Sequence, residues 1–249
     1  MTDFVQLLIL FFVGIAAGFI NVNAGGGSTL TLPTLIFLGL DASVANGTNR
    51  IAILFQNISA VSSFKREEYS QFGLSFKLAL MTLPGAIIGA YFAINISNEA
   101  FEIILAIIMI GIIISMIIPK KKIEISPDGK GKQSWLVFLS MFGIGFYGGF
   151  IQVGVGFLLM AALHHLMKLN LVYVNMHKVF IVLLYTVPAL LIFVLSDNVN
   201  WFLGLSLAAG TMIGAWWGAK YSVKGGEKYI RIVLIAAVII MVVKLLKIF

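Results

Sequence analysis

Two stretches decide how this chain reads: Gly18-Phe19-Ile20-Asn21-Val22-Asn23-Ala24-Gly25-Gly26-Gly27-Ser28 and Gly149-Phe150-Ile151-Gln152-Val153-Gly154-Val155-Gly156. Each is a polar, glycine-rich interruption of an apolar run. The second copies the first 131 positions later, with Gly14 recurring as Gly145, Gly18 as Gly149, Val22 as Val153 and Gly25 as Gly156. Lipid cannot hydrogen-bond an open backbone, so non-helical segments persist at membrane depth only where protein or a wet cavity covers them. Corresponding breaks in the two halves of a membrane protein point to a transporter's binding site.

Composition places both stretches in a membrane. The 249 residues are 60% hydrophobic and 11% charged, and the runs 103–118 and 232–243 contain no charge. Crossing a hydrocarbon core of about 30 Å takes roughly 20 mostly apolar residues. Predicted spans are 4–20, 44–64, 73–94, 100–118, 134–152, 174–195, 200–220 and 229–248. The apolar stretches 28–40 and 156–169, which follow the two breaks, are too short to span and read as half-helices or re-entrant pieces. The first span lacks a basic n-region and a small-residue cleavage site, so it reads as a retained helix. The net charge of +7 does not indicate nucleic acid, because most basic residues sit between spans, as the positive-inside bias places them. The absence of cysteine excludes disulfides, thiol catalysis and thiolate metal sites.

The Pro/Gly/Lys-rich segment 119–133 reads as a cytoplasmic linker between a first transmembrane repeat, 1–118, and a second, 134–249. The halves also match later: Gly85, Gly89, Ala90, Ser97 and Glu102 correspond to Gly210, Gly214, Ala215, Ser222 and Glu227 at a spacing of 125. Charge orients them. The loop 65–72 is basic and its equivalent 196–200 is not, whereas 95–99 is charge-poor and its equivalent 220–228 is basic. Equivalent loops on opposite sides mean inverted repeats, with 95–99 and 196–200 outside and 119–133 inside. Lys244 and Lys247 would then fall outside, against the bias. The expected fold is an all-α polytopic membrane protein of two inverted repeats, each of about four full helices plus a short or broken one.

The ten acidic residues all lie at span ends or in loops, and no carboxylate occupies a mid-membrane position, where cation carriers and proton relays need one. No H-E-x-x-H pattern or acid–histidine pair at metal spacing occurs, so no enzyme, metal site or cofactor is expected. What the apolar stretches do hold is neutral-polar or cationic. Half one has Asn21, Asn23, Ser28, Thr29, Asn46, Thr48, Asn49, Arg50, Gln56 and Asn57. Half two has Gln152, His164, His165, Asn175, His177, Lys178, Tyr185 and Thr186. Unpaired backbone N–H groups at a glycine-rich helix start bind anions, and Ser28 is placed to cap the helix after the first break. The inventory suits an oxyanion held by Asn21, Asn23, the Gly25, Gly26 and Gly27 backbone, Ser28, Thr48, Asn49 and Arg50 from one half, and by Gln152, Gly154, Gly156, His177 and Lys178 from the other.

Each residue also has a plainer role. Gly14, Gly18, Gly85, Gly89, Gly210 and Gly214 suit close helix packing. Arg50 and Lys178 are placed either to meet the anion or to snorkel to headgroups. Laying Asn49-Arg50-Ile51 on His177-Lys178-Val179 makes the two cations equivalent at a spacing of 128. A neutral His177 could shuttle protons or satisfy a helix end, and His164 and His165 read as interfacial.

The chain resembles the TauE/SafE-like sulfite exporter family, also called the TSUP permeases. The matching segments are Gly18–Ser28 with the Thr/Leu/Pro stretch to Pro33, Leu40–Asn49, Leu83–Ala90 and Gly210–Ala215. The second half departs from the pattern at Val155-Gly156-Phe157 and Met176-His177-Lys178. The resemblance implies a multi-spanning permease of the cell inner membrane. Its cargo would be a small sulfur-containing or organic anion such as sulfite, thiosulfate or a sulfonate. Partners would be that anion, the lipid bilayer and a coupling ion, proton or sodium. An anion channel and an assembly subunit without transport activity of its own are the alternatives. Direction and oligomeric state are not written in the sequence.

Overall fold

The computed structural model describes residues 3–117 and 134–245. The linker 119–133 and Lys247 lie outside them. Helices run α1 (Asp3–Ala24), α2 (Ser28–Phe37), α3 (Ala42–Arg66), α4 (Phe72–Ile94), α5 (Asn98–Ile117), α6 (Trp135–Phe150), α7 (Val155–Ala161) with a π-helical turn (Ala162–Leu166), α8 (Leu171–Leu195) and α9 (Trp201–Leu245). No strand occurs among the described residues. The 22 residues of α1 rise about 33 Å, enough to cross the core, whereas the 10 residues of α2 reach about 15 Å. The predicted spans 200–220 and 229–248 are one run in α9, broken at Gly226, which takes φ 61°. Helix starts follow local chemistry: Asn170 Oδ1 accepts the Val172 and Tyr173 amides and opens α8, and Asn200 Oδ1 accepts the Leu203 amide at the head of α9.

The molecule is apolar outside as well as inside. Phe12, Ile103, Ile107, Leu191 and Phe202 are all more than half exposed, an arrangement that water penalises and lipid accepts. Among the described residues four helices, Phe4–Ala24, Phe72–Ile94, Leu171–Leu195 and Trp201–Gly226, are long and apolar enough to span. This is an all-α, multi-pass membrane protein.

Packing runs across the two halves. A Cβ at Gly85 would strike the Phe142 carbonyl and the Phe146 amide, and one at Gly89 the Phe146 carbonyl and the Phe150 amide. Gly210 stands likewise against Phe11 and Ile15, and Gly214 against Ile15 and Phe19. These are the same contacts displaced by the spacings of the sequence repeat. From the other direction, Gly145 and Gly149 lie on Thr82 and Ala86, as Gly14 and Gly18 lie on Leu207 and Thr211. Apolar transfer offers little drive between helices in lipid, so close backbone approach supplies the dispersion contacts. The first helix of each half thus packs on the late glycine-bearing helix of the other.

Candidate functional site

Both breaks lie inside the protein and touch each other. Gly25 takes φ 84°, and a Cβ there would sit 2.7 Å from the Gly156 Cα. A Cβ on Gly156 would in turn sit 2.6 Å from the Gly25 carbonyl oxygen. These residues are equivalents in the repeat, so the breaks cross at corresponding points. Gly26 faces the Phe157 ring, and Gly27 lies against the Ala17 carbonyl and the Asn21 side chain. The close approach that this glycine triplet allows is to protein. Gly154 and Gln152 take left-handed φ values of 72° and 62°, the second an uncommon conformation for a side-chain-bearing residue.

A helix that stops in the membrane leaves carbonyls at its negative end with no partner. Here each half supplies a cation to the other. Arg50, on α3 and fully buried, donates through Nη1 to the Gly148 carbonyl (3.2 Å) and Gln152 Oε1 (2.9 Å), and through Nη2 to the Gly149 carbonyl. Asn46 Nδ2 covers the Phe150 carbonyl at 2.8 Å. The guanidinium lies 4.6 Å from the centre of the Phe193 ring, within cation–π range. In the other direction Lys178 Nζ, on α8, donates to the Asn21 and Val22 carbonyls (3.0 and 2.7 Å) and to Asn175 Oδ1 (2.9 Å). Neither cation reaches toward the headgroups: both are buried caps on the helix end of the opposite half.

Ser28 corrects one expectation. It is the first helical residue of α2, the cap position belongs to Gly27, and no side chain caps the helix. Thr29 Oγ1 instead donates to the Gly26 carbonyl at 2.6 Å, and Asn21 Oδ1 accepts the Gly27 amide. With its backbone already bonded locally, the turn does not need the Ser28 hydroxyl.

Between the breaks lies a cavity of about 10 Å³ lined by Asn21, Ser28, Asn57, Gln152, Gly156 and Lys178, with Val155, Val179 and Val182 closing its apolar side. That is room for about one water. The other residues singled out from the sequence do not line it and are bonded elsewhere. Asn23 Nδ2 bonds the Gly218 carbonyl. Thr48 Oγ1 accepts the Asn200 amide. Asn49 Oδ1 accepts from Thr31. His177 Nδ1 lies 2.7 Å from Ser75 Oγ. His164 Nδ1 lies 2.7 Å from the Leu169 carbonyl, at the end of the π-helical turn. Asn57 and the three valines were not placed at the site from sequence; Asn57 was one polar residue among many in α3, and valines in such a chain carry no signal. Among the described residues no carboxylate is buried and no cluster of His, Cys, Asp or Glu could hold a metal.

Helices that expose apolar faces all round, with two broken helices meeting at a buried, cation-bearing centre, define a polytopic membrane transport protein rather than an enzyme. The family model described as Sulfite exporter TauE/SafE matches residues 10–245, and the chain belongs to that family. It is 30% identical over 241 residues to "Probable membrane transporter protein YfcA" of Escherichia coli strain K12, covering 96% of this chain and 88% of the relative. Identity is 27% over 240 residues to "Probable membrane transporter protein ORF9" of Sinorhizobium sp, covering 96% and 92%. A "Probable membrane transporter protein" of Haemophilus influenzae is 29% identical over 229 residues, covering 90% and 88%. No solved structure matches the chain.

Proposed function

We propose that the protein is a secondary transporter that moves a small sulfur-containing or organic anion, such as sulfite, thiosulfate or a sulfonate, across the cytoplasmic membrane by alternating access. The observation that carries this reading is charge. Two cations, Arg50 and Lys178, are buried without a buried carboxylate among the described residues. A helix C-terminus offsets roughly half an elementary charge, so each cation keeps roughly half. An isolated charge in low dielectric is very costly, and an anion arriving between them relieves that cost on both sides.

The repeats supply the movement. Equivalent contacts recur in both halves, and Gly25 meets Gly156 at the crossing, which suits inverted repeats rocking about a fixed central site. The cavity has room for about one water, too little for any of these anions, so the described arrangement is the closed one and entry requires this centre to open. A closed centre weighs against an open channel. The first repeat, 1–118, and the second, 134–249, joined by 119–133 on the cytoplasmic side, exchange helices, so the units that move are the packed pairs across the repeats, α1 with α9 and α4 with α6.

The test is anion-dependent stability and flux. Purified protein is heated with sulfite, sulfate, thiosulfate, taurine or a small carboxylate. A ligand bound only by the folded state raises the midpoint, by about 2.7 kcal/mol of added stability at a hundred times Kd. Saturable flux of that anion into proteoliposomes, under imposed proton or sodium gradients, then reads direction and coupling ion. No stabilising anion and no flux in any gradient overturns the proposal.

A further inference from the structure

Gln152 stands out among the residues around the cavity because its conformation is uncommon and half its amide is unsatisfied. Its φ is 62°, its carbonyl accepts the Val155 amide at 3.2 Å, and its side chain is almost fully buried. Oε1 accepts from Arg50 Nη1 at 2.9 Å. Nε2 is buried with no partner, on a residue that lines the cavity. Buried polar atoms without partners are few in folded proteins and each calls for a reason.

Arginine decides which way this amide faces. A guanidinium has only donors, and an amide has one acceptor and one donating group. Turning the amide over would set N–H against N–H, so Arg50 holds Oε1 toward itself and Nε2 away. Arg50 is fixed in turn by the Gly148 and Gly149 carbonyls and by the Phe193 ring. Opposite, the three protons of Lys178 are already given to Asn21, Val22 and Asn175. Lys178 therefore supplies charge to the cavity while Gln152 holds an unused N–H.

We infer that Gln152 Nε2 is the anion's specificity-determining hydrogen-bond donor, and that Arg50 is the positioning residue that aims it. This rests on the anion-transport reading above. It adds that the bound ligand presents an acceptor oxygen to Gln152, and that Arg50 acts on the ligand through the amide rather than by contact.

Gln152→Glu tests the donor directly. The carboxylate keeps the bond to Arg50 but has no proton to give, so binding requires it to take one up. A protonated carboxyl has the shape of the amide, with one oxygen on Arg50 and an O–H in place of Nε2. By linkage, thiosulfate affinity of the variant should rise about ten-fold for each pH unit of acidification between pH 8 and 6, measured by calorimetry on the full-length protein. Thiosulfate serves as the probe because it does not itself titrate there. The charged and titratable groups around this position are Arg50 on α3, Lys178 and Tyr185 on α8 and Tyr147 on α6, with His177, also on α8, bonded to Ser75. Gln152→Met retains them all and should bind weakly with no such slope. Arg50→Lys keeps the charge but lacks the planar fork, and should weaken binding about ten-fold through loss of the amide's fixed orientation. A Gln152→Glu variant that binds as wild type, or whose loss is the same at every pH, overturns the assignment. Failure of the wild-type protein to bind any of the anions overturns the transport reading instead.

Discussion

Adding one methyl group at Gly156 puts a Cβ 2.6 Å from the Gly25 carbonyl oxygen and closer still to the Gly25 Cα. Both obstacles are backbone, so no rotamer change relieves them, and the two broken helices must separate. Overpacking of this kind costs about 1–3 kcal/mol. Gly25→Ala meets Gly156 in the same way and also forces φ 84° on a residue with a Cβ, which adds about 1–2 kcal/mol. For a chain of this length each kcal/mol moves the unfolding midpoint by about 2–4 °C. Gly156→Ala should therefore lower it by about 2–12 °C and Gly25→Ala by more. Gly143, in α6, has nothing within 4 Å of its Cβ position, and Gly143→Ala should leave the midpoint unchanged or raise it slightly, as alanine does in a helix. The assay is tryptophan fluorescence during heating of detergent-solubilised protein. The double variant should lose less than the two single losses together, because the first methyl already parts the backbones. Wild-type stability in Gly156→Ala, or strict additivity in the double variant, would show that the breaks do not touch.

The remaining expectations concern charge, caps and sidedness. Lys178→Met leaves the Val22 carbonyl without its donor, whereas Asn21 keeps the Gly25 amide, and removes the cavity's cation; it should lower stability by about 1–3 kcal/mol, read as a midpoint shift, and abolish anion-dependent stabilisation. Asn46→Ala uncovers the Phe150 carbonyl and should cost about 1–3 kcal/mol in the same assay. Thr29→Val should cost about 1 kcal/mol, while Ser28→Ala, which removes no cap, should leave the midpoint unchanged and weaken only anion binding. Cysteines introduced singly at Ser70, in the loop after α3, and at Leu195, at the end of α8, should be labelled by an impermeant reagent from opposite faces of the membrane; labelling from one face refutes inversion.

Much of the architecture was legible because lipid makes hydropathy and backbone satisfaction strict constraints. The short helices after each break were anticipated at 28–40 and 156–169 and run over Ser28–Phe37 and Val155–Leu166. The packing glycines were legible because they recur at fixed spacing, and spacing is what a repeat preserves. What those glycines touch was not, since an offset along a chain does not say which helix lies opposite. Arg50 and Lys178 could be paired by register, yet nothing in one half names the helix end of the other that its cation covers. Gly25-Gly26-Gly27 reads from sequence as backbone open to a ligand; the packing of Gly156, Phe157 and Asn21 against it depends on tertiary approach. Ser28 carried a capping signal that the local bonds of Asn21 and Thr29 had already made redundant.

The exchange of cations between the halves also bears on how the chain is built. Arg50 enters the bilayer during synthesis 98 positions before the Gly148 carbonyl that it covers, whereas Lys178 emerges when Asn21 and Val22 are already in place. The nascent first half must therefore carry a naked guanidinium in lipid, at roughly 2.5–3.5 kcal/mol on insertion scales, until α6 follows. Expressed as separate pieces, 1–133 and 134–249 should each be short-lived and should survive together, which pulse-chase labelling of the paired and single fragments would reveal.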